Sequence, residues 1–555
     1  MANFIERTLG EQIEYIAENY PDQMAVKYAA KFDYQRTYKE FNEECDRIAR
    51  AFMALGVKKG DKVAIWATNY PHWLMTLFGA AKIGAILVTV NTNYKVYEAE
   101  YLLKQSDTKV LVMCDGFKDS NYVEIMYQLI PELKDMKAGT QINSQRIPFL
   151  KHVITIDENA HNGMWHWDTF AALYESVSEE ALKEAKASLD IHDVINMQYT
   201  SGTTGFPKGV MLTHYNIINN GLGIGDCMKF SEKDKLCIPV PFFHCFGLVL
   251  AIMASITHAT TMVPVNYYQP LTVLEVLEKE QCTAVHGVPT MFIAMLEHPE
   301  FKRFKLNLRT GIMAGSPCPI EMMKRAIDEM GMREITITYG QTEASPACTM
   351  TTTDETLEHR VNSVGKSMPC VETKIVDPET GEEVGPGING EFCARGYNIM
   401  KGYYKMPEAT AQAIDKDGWL HTGDLACVDE DGYYKITGRI KDMIIRGGEN
   451  IYPKEIEDFI YTYEKVKDVQ VVGAPSVQYG EEICAFVVAK DGMEITPDEI
   501  KDYVKANMAR HKVPKYVLII DELPMTASGK IQKYKLREMA VDMLDLHDAA
   551  SVETA

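Results

Sequence analysis

Through the first half of the chain, short apolar runs alternate with amphipathic segments. Lys62-Val-Ala-Ile-Trp66 leads to a helical stretch through Trp73-Leu-Met-Thr-Leu-Phe78 and then to Ala85-Ile-Leu-Val-Thr-Val90. A continuous apolar run suits a strand covered on both faces, so this alternation predicts βαβ units with parallel strands. The rhythm returns at Ala284-Val-His-Gly-Val288, ahead of a helix opened by Pro289-Thr290, and at Glu334-Ile-Thr-Ile-Thr-Tyr339, ahead of Gly340. The most apolar stretch, Leu248 to Thr257, is far shorter than the roughly 20 residues a membrane-spanning helix needs and reads as a buried helix.

From about residue 362 to 437 the texture changes. Short strands are separated by turn residues, as in Asp377-Pro-Glu-Thr-Gly381 and Asp429-Glu-Asp-Gly432, which predicts a small antiparallel, barrel-like β unit. Beyond Lys441 a mixed pattern resumes, with strands at Val469-Gln-Val-Val-Gly473 and Ile483-Cys-Ala-Phe-Val-Val488 and a helix over 497–508. Ile531 to Glu538 reads as a further strand, and the acidic tail after about Ala540 as frayed. The whole is of the α/β class, with a last segment large enough to be a domain of its own.

Composition narrows the partners. A chain of 555 residues calls for two or more domains. Its formal charge of −21 excludes non-specific binding to nucleic acids or anionic membranes, so a polyanionic ligand would need a local basic pocket. Twelve cysteines contain no C-x-x-C pair, and the first residues, Met1-Ala-Asn-Phe-Ile-Glu-Arg7, lack the layout of a signal peptide. The expectation is a cytoplasmic protein with reduced thiols and no integral membrane segment. A homodimer is compatible with it.

One segment concentrates chemistry. Tyr199-Thr-Ser-Gly-Thr-Thr-Gly-Phe-Pro-Lys-Gly-Val210 places the hydroxyls of Thr200, Ser201, Thr203 and Thr204 beside Gly202 and Lys208. Glycines let backbone N–H groups approach a ligand, hydroxyls donate to phosphate oxygens, and the lysine supplies charge. Gly209 follows the lysine where a Walker A loop has Ser or Thr. Taken whole, the string resembles the signature of the adenylate-forming superfamily of acyl-CoA synthetases, luciferases and peptide-synthetase adenylation domains, every fixed position being present. The likeness runs from near residue 10 to about residue 540.

That resemblance implies a site. In Tyr339-Gly340-Gln-Thr342-Glu343 the ring would stack on adenine, Thr342 would bind phosphate, and Glu343, with Thr204, would hold Mg²⁺ against ATP. Gly315-Ser316-Pro317 would contact adenine. Asp424, in Trp419-Leu-His-Thr-Gly-Asp424, would accept from both ribose hydroxyls, with Ile436 and Arg439 alongside. His244, in Pro241-Phe-Phe-His-Cys-Phe-Gly247, matches an aromatic position between the acyl pocket and the adenylate.

The resemblance also implies a domain plan. An N-terminal AMP-binding domain covers 1–437, a hinge 438–441 pivots at Lys441, and a smaller mobile α+β domain covers 442–555. Gly447 and Gly448 would line the pantetheine tunnel, and Lys530, ending Pro524-Met-Thr-Ala-Ser-Gly-Lys530, would stabilise charge on the α-phosphate. The implied reaction has two parts: a carboxylate attacks the α-phosphorus of Mg-ATP and pyrophosphate leaves, then the CoA thiol attacks the acyl-adenylate and AMP leaves. His286-Gly-Val-Pro-Thr-Met-Phe292, Ile312 and the Phe242–Phe246 run would line an apolar acyl pocket. Gly-Val-Pro-Thr-Met-Phe292, Ile444 to Pro453 and Ser528 to Glu538 resemble the member 2 type of the acyl-CoA synthetase family, associated with medium-chain fatty acids. A carrier-protein acceptor, an oxygenase, an aryl or branched acid, and a non-catalytic AMP-binding protein stay open as alternatives.

Overall fold

The computed structural model describes residues 4–200, 207–315, 318, 320–446, 449–476, 479–508, 510–526 and 531–550. The chain forms two compact units, Met1–Thr373 with Ala394–Leu420, and Lys374–Cys393 with His421–Ala555.

Two large sheets build the first unit. One has eight strands in the order Gly402–Tyr403, Lys208–Thr213, Val194–Thr200, Ile86–Thr89, Lys62–Trp66, Thr108–Met113, His152–Thr155 and Trp165–His166. From Val194–Thr200 onward the neighbours are parallel, as the βαβ reading expects, whereas Lys208–Thr213 and Gly402–Tyr403 join antiparallel at one edge. Ile86–Thr89 is wholly buried and Lys62–Trp66 nearly so, which is why their sequences show no polar alternation. The second sheet orders Glu334–Thr336, Thr310–Ile312, Ala284–Val285, Lys235–Ile238, Thr261–Pro264, Met24–Lys27 and Gln35–Thr37, parallel except for the last pair.

The apolar stretch near Leu248 is a buried helix. Its first part, Phe246–Met253, is a π-helix in which all eight residues are buried, and Ala254–Thr257 continues it as α-helix. The run from Glu334 to Tyr339 is more than one strand. The parallel strand stops at Thr336, and Thr338–Gly340 opens a separate antiparallel sheet with Ala347–Met350 and Lys366–Ser367. Gly340 is obligatory at this corner, because a Cβ there would lie 1.8 Å from the Pro346 carbonyl oxygen.

Two further sheets lie later in the chain. A four-stranded one runs Val371–Val376, Gly390–Gly396, Leu420–Val428, Tyr434–Arg439. A five-stranded one centres on Gly480–Ala489, paired with Val466–Ser476, Ile444–Arg446 and Tyr516–Ile519, with Glu449–Ile451 beyond Ile444–Arg446. Ile483, Ala485 and Val487 pack with Ile456, Ile460, Ile500 and Val504 on one face. Cys484 and Phe486 pack with Leu523, Leu536 and Ala540 on the other. This second layer corrects the strand reading of Ile531 to Glu538. Lys533–Met543 is an α-helix, and Leu536 and Ala540, one turn apart, cover the face that Phe486 presents. Nor does the chain fray at Ala540, since Leu544 and Leu546 pack against the same cluster.

Candidate active site

Antiparallel register puts Thr200 opposite Lys208, so Ser201, Gly202, Thr203 and Thr204, which lie outside the described residues with Gly205 and Phe206, are bracketed by a paired strand end on each side. Side chains hold the neck of this hairpin: the Tyr101 hydroxyl donates to the Pro207 carbonyl at 3.0 Å, and the Tyr199 hydroxyl to Gln105. The Lys208 ammonium rests 4.9 Å above the centre of the Tyr403 ring.

Tyr339 lies in the antiparallel corner opposite Thr349, and Thr342 and Glu343 occupy the short 3₁₀ turn Thr342–Ala344, both buried. The Glu343 carboxylate accepts the Tyr403 hydroxyl at 2.8 Å, and its backbone carbonyl accepts Met400 N–H at 2.9 Å. Glu343 Oε2 carries no hydrogen bond among the described residues. Burial, followed by the charge of Glu343, pushes the Tyr403 phenol well up, so it remains a proton donor.

The structure brings His244 and Thr342 to one place. Cys245 Sγ lies 3.7 Å from Thr342 Oγ1 and 3.6 Å from His244 Nδ1, which also accepts Phe246 N–H at 3.1 Å. Gly315, with φ +89°, sits where a Cβ would come 3.2 Å from Val288 and 3.9 Å from Phe246. His286 ties the same region together, Nε2 donating to Leu250 O in the π-helix at 2.9 Å and Nδ1 accepting Ile312 N–H at 3.2 Å. Burial pushes its imidazole down to about 4, so it sits there neutral. The apolar residues expected to line the acyl pocket, Phe242, Phe246, Val288, Phe292 and Ile312, are all buried. Ser316 and Pro317 lie outside the described residues.

In the second unit, Asp424 and Arg439 are opposite each other across the pairing of Leu420–Val428 with Tyr434–Arg439, the Arg439 Nε 2.9 Å from Asp424 Oδ1. Ile436 faces Ala426 in the same ladder. Sequence reasoning missed what shapes the turn before Asp424. Glu391 accepts Gly423 N–H at 2.9 Å and pairs with His421 Nδ1 at 2.8 Å, while Thr422 Oγ donates to Phe392 O at 2.6 Å and accepts Asp424 N–H at 3.2 Å. Lys441 occupies the 3₁₀ turn Ile440–Asp442, and Arg537 donates to its carbonyl and to Asp442, each at 3.1 Å. Gly447 and Gly448 lie outside the described residues, between strands that pair Arg446 with Glu449. Lys530 also lies outside them, in a segment bracketed by the antiparallel bridge of Met525 to Ile531 and by Gln532 N–H donating to Pro524 O at 2.8 Å.

Tyr403 is the other residue that sequence reasoning overlooked. Its only local signal is Gly402-Tyr-Tyr ahead of the helix opened by Pro407.

Parallel α/β sheets with a hydroxyl-rich hairpin and a buried Thr-Glu turn define the class of adenylate-forming enzymes, and the comparisons with known proteins agree. The description AMP-binding enzyme fits residues 13–404, and AMP-binding enzyme C-terminal domain fits residues 455–530. YngI of Bacillus subtilis (strain 168), which carries an acyl-CoA synthetase name, is 54% identical over 547 residues, covering 98% of this chain and 99% of that protein. The mitochondrial medium-chain acyl-CoA ligase ACSF2 of Bos taurus is 39% identical over 546 residues, 97% of this chain and 88% of that one. The crystal structure of ATP-bound MatB from Rhodopseudomonas palustris superposes with a TM-score of 0.82 at 28% identity, covering 97% of this chain and 100% of the other. The chain belongs to the AMP-binding enzyme family, as an acid–thiol ligase of the acyl-CoA synthetase type. No helix among the described residues is long and apolar enough to cross a membrane.

Proposed function

We propose that the protein converts a medium-chain fatty acid to its CoA thioester through an acyl-adenylate, consuming ATP and releasing pyrophosphate and AMP. The observation that carries this reading is the meeting of Lys208 and Glu343 at Tyr403. A cation and a buried carboxylate with one oxygen open suit the two ends of a metal-bound polyphosphate. The donor set fits Mg²⁺, a hard cation that takes carboxylate and hydroxyl oxygens, with Glu343 and Thr204 as ligands. When bound, it neutralises phosphate charge.

In this reading Lys208 and the hydroxyls of Thr200, Ser201, Thr203 and Thr204 bind the phosphates. Tyr339, Gly340 and Thr342, with Gly315, Ser316 and Pro317, hold adenine and the α-phosphate. Asp424 takes the ribose hydroxyls, Arg439 and Ile436 flank it, and Lys530 offsets charge that develops during attack. No protein nucleophile is needed, because the substrate carboxylate itself attacks and the residues position it and neutralise charge. A hinge at 438–441 then exchanges Lys530 for the Gly447-Gly448 loop, and the CoA thiol displaces AMP. His244 separates the acyl pocket from the adenylate. The buried apolar set around Phe246 and Ile312 and the name of the bovine relative support an alkyl acid of medium length.

The test is acid-dependent ATP–pyrophosphate exchange, together with CoA-dependent AMP release, across straight-chain acids from butyrate to palmitate plus aryl acids. A maximum at intermediate chain length is expected. A maximum with aryl acids, or release driven by a phosphopantetheinyl carrier and not by CoA, would overturn the substrate or the acceptor respectively.

A further inference from the structure

Tyr403 is a buried residue on an edge strand that is held at several points. Its two-residue strand is pinned on both sides, Lys401 N–H donating to Met211 O at 2.9 Å and Tyr404 N–H to Gly209 O at 2.8 Å, while Tyr403 N–H donates to Thr410 Oγ at 2.9 Å. Gly402 before it has φ +134°, and a Cβ there would meet the Thr410 side chain at 2.7 Å. The backbone is thus fixed where the Tyr403 ring reaches both Lys208 and Glu343.

What the side chain then does follows from burial. Glu343 is only 9% exposed, and a carboxylate so enclosed must find hydrogen bonds or lose its charge. The Tyr403 hydroxyl is the one side-chain donor it has among the described residues, and it occupies Oε1. A bond to one oxygen fixes the carboxylate's rotation and leaves Oε2 as the available oxygen. The face of the same ring lies under the Lys208 ammonium at 4.9 Å, a favourable arrangement for a cation that leaves all its N–H donors available to a phosphate.

We infer that Tyr403 is a positioning residue for adenylation, its hydroxyl orienting Glu343 toward the divalent cation and its ring seating Lys208 toward the phosphates. The inference rests on the cation role proposed for Glu343 and on the phosphate role proposed for Lys208, and it names a residue for which the site motifs make no provision. The two functions separate chemically: Tyr403→Phe removes the hydroxyl and keeps the ring, whereas Tyr403→Leu removes both.

The experiment measures ATP–pyrophosphate exchange by the full-length protein while Mg²⁺ is titrated at fixed ATP and acid, and in parallel while ATP is titrated at saturating Mg²⁺. Tyr403→Phe is expected to raise the Mg²⁺ concentration for half-maximal exchange about 3–10-fold and to leave the ATP KM within twofold. Tyr403→Leu is expected to add a rise of about 2–5-fold in ATP KM through Lys208. A purely structural role would lower the unfolding temperature and kcat without moving either half-saturation, and that result overturns the inference. Glu343→Gln tells its failure from failure of the underlying reading. If Glu343→Gln shifts the Mg²⁺ dependence and Tyr403→Phe does not, Tyr403 is no positioning residue. If Glu343→Gln leaves that dependence at the wild-type value, the cation role of Glu343 falls and takes the inference with it. In the double variant, the Tyr403→Phe effect should shrink below twofold, since no charged carboxylate remains to orient; full multiplicativity would refute the coupling.

Discussion

The Arg439 guanidinium meets the Asp424 carboxylate at 2.9 Å from directly across one strand pairing, half exposed where its partner is buried. The pair therefore orients a carboxylate that the protein has largely removed from water, and hydrogen bonds from a ribose would add to this one. Charge-assisted hydrogen bonds are worth roughly 1.5–3 kcal/mol, so Asp424→Asn should raise the ATP KM about 10–100-fold. Arg439→Gln, which leaves the carboxylate in place, should raise it only about 2–10-fold. Initial-rate kinetics with varied ATP decide the order, and an Arg439 effect larger than the Asp424 effect would reverse the assignment of roles.

Separate assays of the two half-reactions test the hinge. Lys530→Ala should slow acid-dependent pyrophosphate exchange by about 100-fold or more, yet leave CoA attack on preformed acyl-adenylate within a few-fold of wild type. Lys441→Pro fixes φ inside the turn Ile440–Asp442 and should do the opposite. Rapid-quench measurement of acyl-CoA formed from supplied acyl-adenylate is the readout. Equal loss of both steps in both variants would count against a rotating domain.

The C-terminal helix contributes to stability through a few residues. Leu536 is fully buried in the second-face cluster that also holds Phe486 and Leu523. Leu536→Ala should cost about 2–4 kcal/mol, whereas Tyr534→Ala, exposed on the opposite side, should cost less than about 0.5 kcal/mol. Hydrogen exchange across Gly480–Ala489 would show the loss as faster exchange confined to that sheet.

Acid should weaken the fold above the ordinary carboxylate range. Burial pushes His72, His214 and His286 down to about 4, below the ordinary imidazole value of 6.5. The folded state thus resists protons that the unfolded chain binds, so the stability from keeping these rings neutral is complete above about pH 6.5 and declines as pH falls toward 4. Asp468, raised by burial to about 6, acts with the opposite sign, becoming less costly as pH falls, and offsets part of the loss. The urea midpoint should drop between pH 7 and pH 5. His214→Asn, which keeps an acceptor for the Leu9 N–H that His214 Nδ1 now binds at 2.9 Å, should flatten that slope.

Much of the candidate site could be proposed from the sequence because its motifs are local. Thr200 to Lys208 is one continuous string whose described ends pair, and the Tyr339–Glu343 corner is five consecutive residues. Tyr403 was not legible, because its two-residue strand pairs with Val210 and Met211, far back in the chain, and nothing in Gly402-Tyr-Tyr names that partner. The helix Lys533–Met543 was misread for a related reason. Charged residues are interleaved through it, and only the second face of Val466–Ser476 and Gly480–Ala489, which the helix covers, explains why Leu536 and Ala540 must lie one turn apart. The break at Ile337 escaped notice since Ile335 and Ile337 alternate as smoothly as in one strand, although the chain changes sheets between them and Tyr339.

The late arrival of Gly402–Tyr403 at the edge of Lys208–Thr213 also has a consequence for biosynthesis. At a translation rate of about 5–20 residues per second, the roughly 200 residues that separate the two strands take about 10–40 s to emerge. For that interval the nascent chain presents Lys208–Thr213 as an unpaired edge, a template for pairing with a neighbouring polypeptide. The strand that completes the Glu343 environment is therefore also the one that closes this edge, and ribosome-bound chains truncated before Gly402 should be held by chaperones that release chains extending past Tyr404.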